Sequence, residues 1–222
     1  PVCDGGAGGG NLAYWRGQNA GAKQARTVLY ERAGLGRSSL GEEPRSAEVI
    51  AQELHELLEV AGLPPPYVLV GHSYGGLLVR VFAHMYPEET SGLVLVDPAT
   101  DGMYSYLEKT YPQEWASAAT ALNEGFQRQW KATPIAIAQA EAAWPLPPVP
   151  TTILTAQQPL GRWPLEGQED MKVWESEHQL LAEKIPGSRR VSITDSDHMS
   201  VLLKDQLAEE ILKVVDESRY IK

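Results

Sequence analysis

The run Gly71-His72-Ser73-Tyr74-Gly75-Gly76 sets a serine between glycines in the pattern G-x-S-x-G. A serine hydroxyl is a weak nucleophile until a base takes its proton and fixed donors receive the oxyanion it creates. The apolar run Tyr67-Val68-Leu69-Val70 precedes the motif, and a helical pattern starting at Leu77 follows it. Strand, sharp turn and helix in that order are the setting of a nucleophile elbow. Small residues at Gly71 and Gly75 let the two flanking backbones pass, and the amide of Tyr74 then stands at a helix N-terminus, suited to negative charge. The alternative is a serine in an ordinary glycine-rich turn, and the flanking strand and helix weigh against it.

The elements that must hold this turn can be read from periodicity. Thr27-Val28-Leu29-Tyr30, Tyr67 to Val70, Leu93 to Val96 and Thr152-Ile153-Leu154 are short apolar runs without alternation, and Arg190 to Thr194 is a more mixed fifth. Such runs fit strands covered on both faces, as in a parallel sheet. Between them lie amphipathic helices. Ser46 is a candidate N-cap for Ile50, Leu54, Leu57, Leu58 and Ala61, with Gly62 and three prolines as the stop. Leu77, Leu78, Val81, Phe82 and Met85 repeat the spacing, as do Leu207, Ile211, Val214 and Val215. The pattern predicts an α/β fold, a doubly wound and mostly parallel sheet with flanking helices.

Residues 100–147 break the alternation, being helix-like and rich in Tyr and Trp. They are expected to form a small helical lid inserted in a core made of residues 1–99 and 148–222. Trp115 and Trp130 are its candidate substrate-binding residues, since indoles offer large apolar faces. An ordinary helical subdomain with its own aromatic core is the competing expectation.

Composition narrows the chemistry. The 222 residues are 43% hydrophobic and 22% charged, as in one globular domain. A net charge of −10 disfavours a nucleic-acid surface, which needs clustered Lys and Arg. One cysteine, Cys3, excludes an internal disulfide framework and multi-cysteine metal sites, and the histidines have no ligand-like spacing. No metal or organic cofactor is expected, and the expected partner is a small-molecule substrate. No run approaches the roughly 18 apolar residues of a membrane span, and the start of the chain lacks a signal-peptide pattern. Compartment and oligomeric state stay open.

Taken together, these motifs resemble the α/β-hydrolase fold family along nearly the whole chain. Asp4-Gly5-Gly6-Ala7-Gly8-Gly9 is similar to the glycine-rich loop after the family's third strand, with Asp4 where many members have histidine. Tyr30 to Ser38 resembles the turn after its fourth strand. Leu93 to Ala99 resembles its sixth strand and that strand's end. The family's first two strands have no counterpart here.

The resemblance implies a catalytic triad. Among five histidines, His55 and His84 sit inside amphipathic helices, and His72 lies beside Ser73 with its side chain expected to point away. His178 lies in a charged helical stretch expected to be exposed. His198 follows the last strand, where the family carries its base. The acid usually follows the family's seventh strand, but Gln157 to Arg162 holds no carboxylate. A minority of members carry it at the end of the sixth strand, the place of Asp97. Two readings stay open beside it: Asp97 as a loop cap, and an acid among Glu166, Glu169 and Asp170. By the family pattern, the backbone amides of Gly6 and Tyr74 would form the oxyanion hole.

The expected function is a serine hydrolase cleaving an ester, lactone or thioester of a small, largely apolar substrate through an acyl-enzyme. An acyltransferase with the same triad, or a ligand-binding receptor on the same fold, are the alternatives.

Overall fold

The computed structural model describes residues 2–4, 22, 25–118, 120, 123–161 and 166–220, with residues 2–4 described as backbone. Its strands are β1 (Val2–Asp4), β2 (Val28–Leu29), β3 (Tyr67–His72), β4 (Thr90–Val96), β5 (Thr151–Ala156) and β6 (Arg189–Ile193). They form one parallel sheet in the order β2-β1-β3-β4-β5-β6. Successive side chains of a strand point to opposite faces. Leu69, Leu93, Leu95 and Ile153 therefore fill the core on one side, while Val68, Val70, Val94, Val96 and Leu154 fill it on the other. Both faces are apolar, which is why the sequence runs show no alternation.

Helices cover each face. α1 (Ala47–Val60) and α2 (Tyr74–Met85) lie on the leucine side, and the Ser46 hydroxyl caps α1 by accepting from the Val49 amide. The insertion supplies α3 (Asp101–Thr110), α4 (Pro112–Ala118), α5 (Glu124–Lys131) and α6 (Thr133–Ala142). α7 (Gln168–Lys184) precedes β6, and α8 (Asp205–Ser218) covers the valine side through Leu207, Ile211, Val214 and Val215. None of the described helices is long and apolar enough to cross a membrane.

The insertion divides in two by its packing. α6 sinks Ala136 and Ala140 into the main core against α1 and α2. α3 instead packs Met103 and Leu107 on Met171 and Trp174 of α7, forming a separate small cluster. α5 meets the 32–38 turn so closely that a Cβ at Gly125 would overlap the backbone of Gly34. Short-range order inside the insertion is thus helical, but its position is fixed by contacts with the core.

The sheet's strand order reverses beside β1, and crevices for ligands form at such points, beyond the carboxyl ends of the strands. β3 and β4 are paired there in register, His72 opposite Val96. A residue following each strand consequently emerges at one edge, side by side. The crossing of β3 into α2 is tight: a Cβ on Gly71 would collide with the Gly75 carbonyl. Gly71→Ala is expected to cost about 1–3 kcal/mol through this overpacking, measured by urea unfolding. Unchanged stability would show that the turn has slack.

Candidate active site

Ser73 occupies the turn between β3 and α2 with φ 54° and ψ −123°. Among the described residues only Ser73 and Asp97 (φ 45°) combine a positive φ with a side chain. Such backbone is strained and persists only where its surroundings enforce it. Here the Ser73 amide donates to the Val96 carbonyl at 3.1 Å, and its carbonyl accepts from the Gly76 and Ala99 amides. The Asp97 amide donates to the Leu154 carbonyl at 2.8 Å. Backbone from β4, β5, the start of α2 and the loop after β4 therefore sets both residues.

The Ser73 hydroxyl lies 3.0 Å from His198 Nε2, and His198 Nδ1 lies 2.6 Å from Asp97 Oδ2. A proton on Nδ1 directed at the carboxylate leaves Nε2 as the acceptor for the serine. His198 reaches this place from the loop after β6. The Asp197 carboxylate accepts from the Met199 and Ser200 amides, and the Ser196 carbonyl accepts from the Gln157 and Gln158 amides. These bonds fold the loop back over β5.

Asp97 is fully buried. Burial by itself pushes its carboxyl upward, but the hydrogen bond from His198, the electrostatic attraction of the His198 and His178 rings and the Trp174 N–H together hold it below the usual carboxylate range. Oδ1 accepts from the Ala156 amide and from Trp174 Nε1, each at 2.8 Å. The alternative acids fall elsewhere. Asp170 accepts from the Tyr106 and Tyr111 hydroxyls through Oδ1 and from the Glu166 and Gly167 amides through Oδ2. Glu169 pairs with Lys172 at the surface.

Two histidines depart from the sequence reading. His178 was expected at the surface and is wholly buried. Its Nε2 donates to the Pro98 carbonyl at 2.9 Å, so its Nδ1 accepts from the Thr155 hydroxyl. Asp170, Trp174 and His178 recur every four residues, one face of α7; in a helix with so many charges that stripe reads as solvated until the sheet is in place. His72 does not turn away from the site either. Its Nε2 donates to the His198 carbonyl at 2.8 Å, and the two rings lie 4.6 Å apart.

Tyr74 is the first residue of α2, so its amide stands next to the serine at a helix N-terminus. Gly6 lies outside the described residues. Trp115 and Trp130 pack on each other at 4.6 Å and line a recess of about 170 Å³ with Tyr104, Lys131, Pro134 and Ile137. Ser73, Asp97 and His198 are not among the lining residues. Burial and the neighbouring Tyr74 both push the Tyr104 hydroxyl up, while Arg32 opposes them.

Residues 2–144 match the family described as alpha/beta hydrolase fold. The chain belongs to the α/β-hydrolase fold family. RutD of Klebsiella pneumoniae (strain 342) is 30% identical over 255 aligned positions, which cover 93% of this chain and 90% of that one. A carboxylesterase structure from Nitrososphaera gargenis superposes with a TM-score of 0.71 at 16% identity, covering 99% of this chain and 91% of the other. The enol-lactonase of Burkholderia xenovorans LB400 gives 0.64 at 18% identity, over 97% and 90% of the two chains. At these identities the two structures establish the fold alone. The chain spans less than a third of the length of the first three curated relatives that it matches.

For this α/β-hydrolase the buried histidines dictate an acid response. Burial and the charge of His198 push His72 down to about 3, and burial lowers His178 as well. In the unfolded chain both take up a proton near pH 6.5. The folded state refuses it, so the contribution to stability is complete above that pH and is lost as pH falls toward 3. The melting temperature is expected to drop between pH 7 and pH 4, and less steeply in His72→Gln. Identical slopes would show that His72 is protonated in the folded protein.

Proposed function

We propose that this chain is a serine hydrolase acting on an ester, lactone or thioester of a small, largely apolar substrate. The observation that carries the reading is the chain of contacts from Ser73 Oγ to His198 Nε2 at 3.0 Å and from His198 Nδ1 to Asp97 Oδ2 at 2.6 Å. In this reading His198 takes the hydroxyl proton as Ser73 Oγ attacks the carbonyl carbon. The new oxyanion is received by the amides of Tyr74 and Gly6. Collapse breaks the bond to the leaving group, which departs with the proton from Nε2. Water then gives its proton to the same nitrogen and attacks the acyl-enzyme, returning Ser73 and a carboxylic acid. Asp97 orients the imidazole throughout and stabilises it when charged.

The insertion is read as a lid over this site, with Trp115 and Trp130 accepting an apolar part of the substrate next to Tyr104. Support comes from the aromatic lining of the recess, where Tyr104 meets both indoles edge-on.

A fluorophosphonate should label Ser73 alone, and Ser73→Ala should abolish labelling and reporter-ester turnover while folding persists. Asp97→Asn should lower kcat by about 10⁴-fold, the loss seen for the equivalent change in a serine protease, whereas Glu169→Gln should leave it unchanged. Labelling of another serine, or a folded Asp97→Asn protein with wild-type kcat, would overturn the assignment. Trp130→Ala should shift the preferred acyl chain length on an ester panel; a change in stability alone would retire the lid.

A further inference from the structure

We propose that Trp174 is a positioning residue that fixes the rotation of the Asp97 carboxylate and the plane of the His198 ring. The inference rests on the serine-hydrolase reading above. A terminal carboxylate torsion is broad and roughly two-fold, so nothing within aspartate itself selects which oxygen meets the imidazole. The selection comes from Oδ1, held by two donors, the Ala156 amide and Trp174 Nε1, both at 2.8 Å. With Oδ1 so occupied, Oδ2 is turned to His198 Nδ1.

The same indole meets the His198 ring edge-on, 5.4 Å between centroids and 90° between planes. One side chain thus touches both the acid and the base. It is itself held from behind. His178 lies 4.9 Å from the indole and is anchored by the Pro98 carbonyl and the Thr155 hydroxyl. One turn earlier, Asp170 receives the two tyrosine hydroxyls. α7 is therefore tied on both sides of Trp174, and the indole cannot withdraw without breaking buried polar contacts, which are costly to lose. The Ala156 donor is backbone and belongs to β5, so the indole N–H is the donor that a side-chain change can remove.

Packing alone would make the ring matter and the N–H irrelevant, and this separates the two roles. Trp174→Phe keeps an aromatic ring and loses the donor. Replacement of Trp174 by 3-benzothienylalanine keeps the bicyclic shape and loses only the N–H, so it decides the question if the phenylalanine variant does not fold. For both, the bond-forming rate constant for fluorophosphonate at Ser73 should fall about tenfold, as expected for losing one hydrogen bond to a charged group, with the inhibitor's binding constant unchanged. The far-downfield proton resonance of His198 Nδ1–H should move or broaden. Folded variants with the wild-type rate constant and an unmoved resonance would overturn the proposal. Asp97→Asn is measured beside them. If it reacts like wild type, the triad reading itself fails. If it is slow while both position-174 variants match wild type, only the role of Trp174 falls.

Discussion

A carboxylate removed from water must find donors or give up its charge, and Asp97 is the point in this fold where that requirement is most severe. It lies wholly out of solvent, and each of its contacts comes from a different part of the chain. β5 gives the Ala156 amide, α7 gives the Trp174 indole, and the loop after β6 gives the His198 imidazole. Satisfying one buried charge therefore gathers the C-terminal third of the chain around the end of β4. The Ser73 hydroxyl meets that assembly because β3 is the neighbour of β4 and is paired with it in register.

Strain is concentrated at the same place. The positive-φ serine and the positive-φ aspartate follow adjacent strands, and each has its backbone bonded to the next strand's end. Neither conformation is favourable for an isolated residue. They persist because the sheet has both faces covered, with leucines to α1, α2 and α6 and valines to α8, so the strand ends have no freedom to relax. The stability of the core and the geometry of the site are in this sense the same property.

The insertion is joined to the site by α7 rather than by the sheet. Its first helix rests Met103 and Leu107 on Met171 and Trp174, and Tyr106 and Tyr111 close on Asp170 of the same helix. α7 thus carries contacts to the insertion, to Asp97 and to the end of β5.

Ser73 was legible in the sequence because an elbow is local. Its glycines, its strand and its helix are all within a dozen residues, and their types follow from steric limits on one turn. The central strands β3, β4 and β5 were equally legible, since a run buried on both faces is apolar with little interruption, and so was the α1 cap at Ser46. Asp97 and His198 could be proposed only from their places after strands, because 101 residues separate the two side chains that lie 2.6 Å apart. The contacts of Trp174, His178 and His72 were hidden altogether. A helix stripe of Asp, Trp and His looks solvated in a charged segment, and only the sheet beneath it turns those polar groups inward. What the sequence determined by itself was the central strands, the amphipathic helices beside them and the sharp turn that presents the serine. What the tertiary structure decided was which distant polar groups share one buried space, because partners for a desolvated charge are chosen by proximity in the fold and not along the chain.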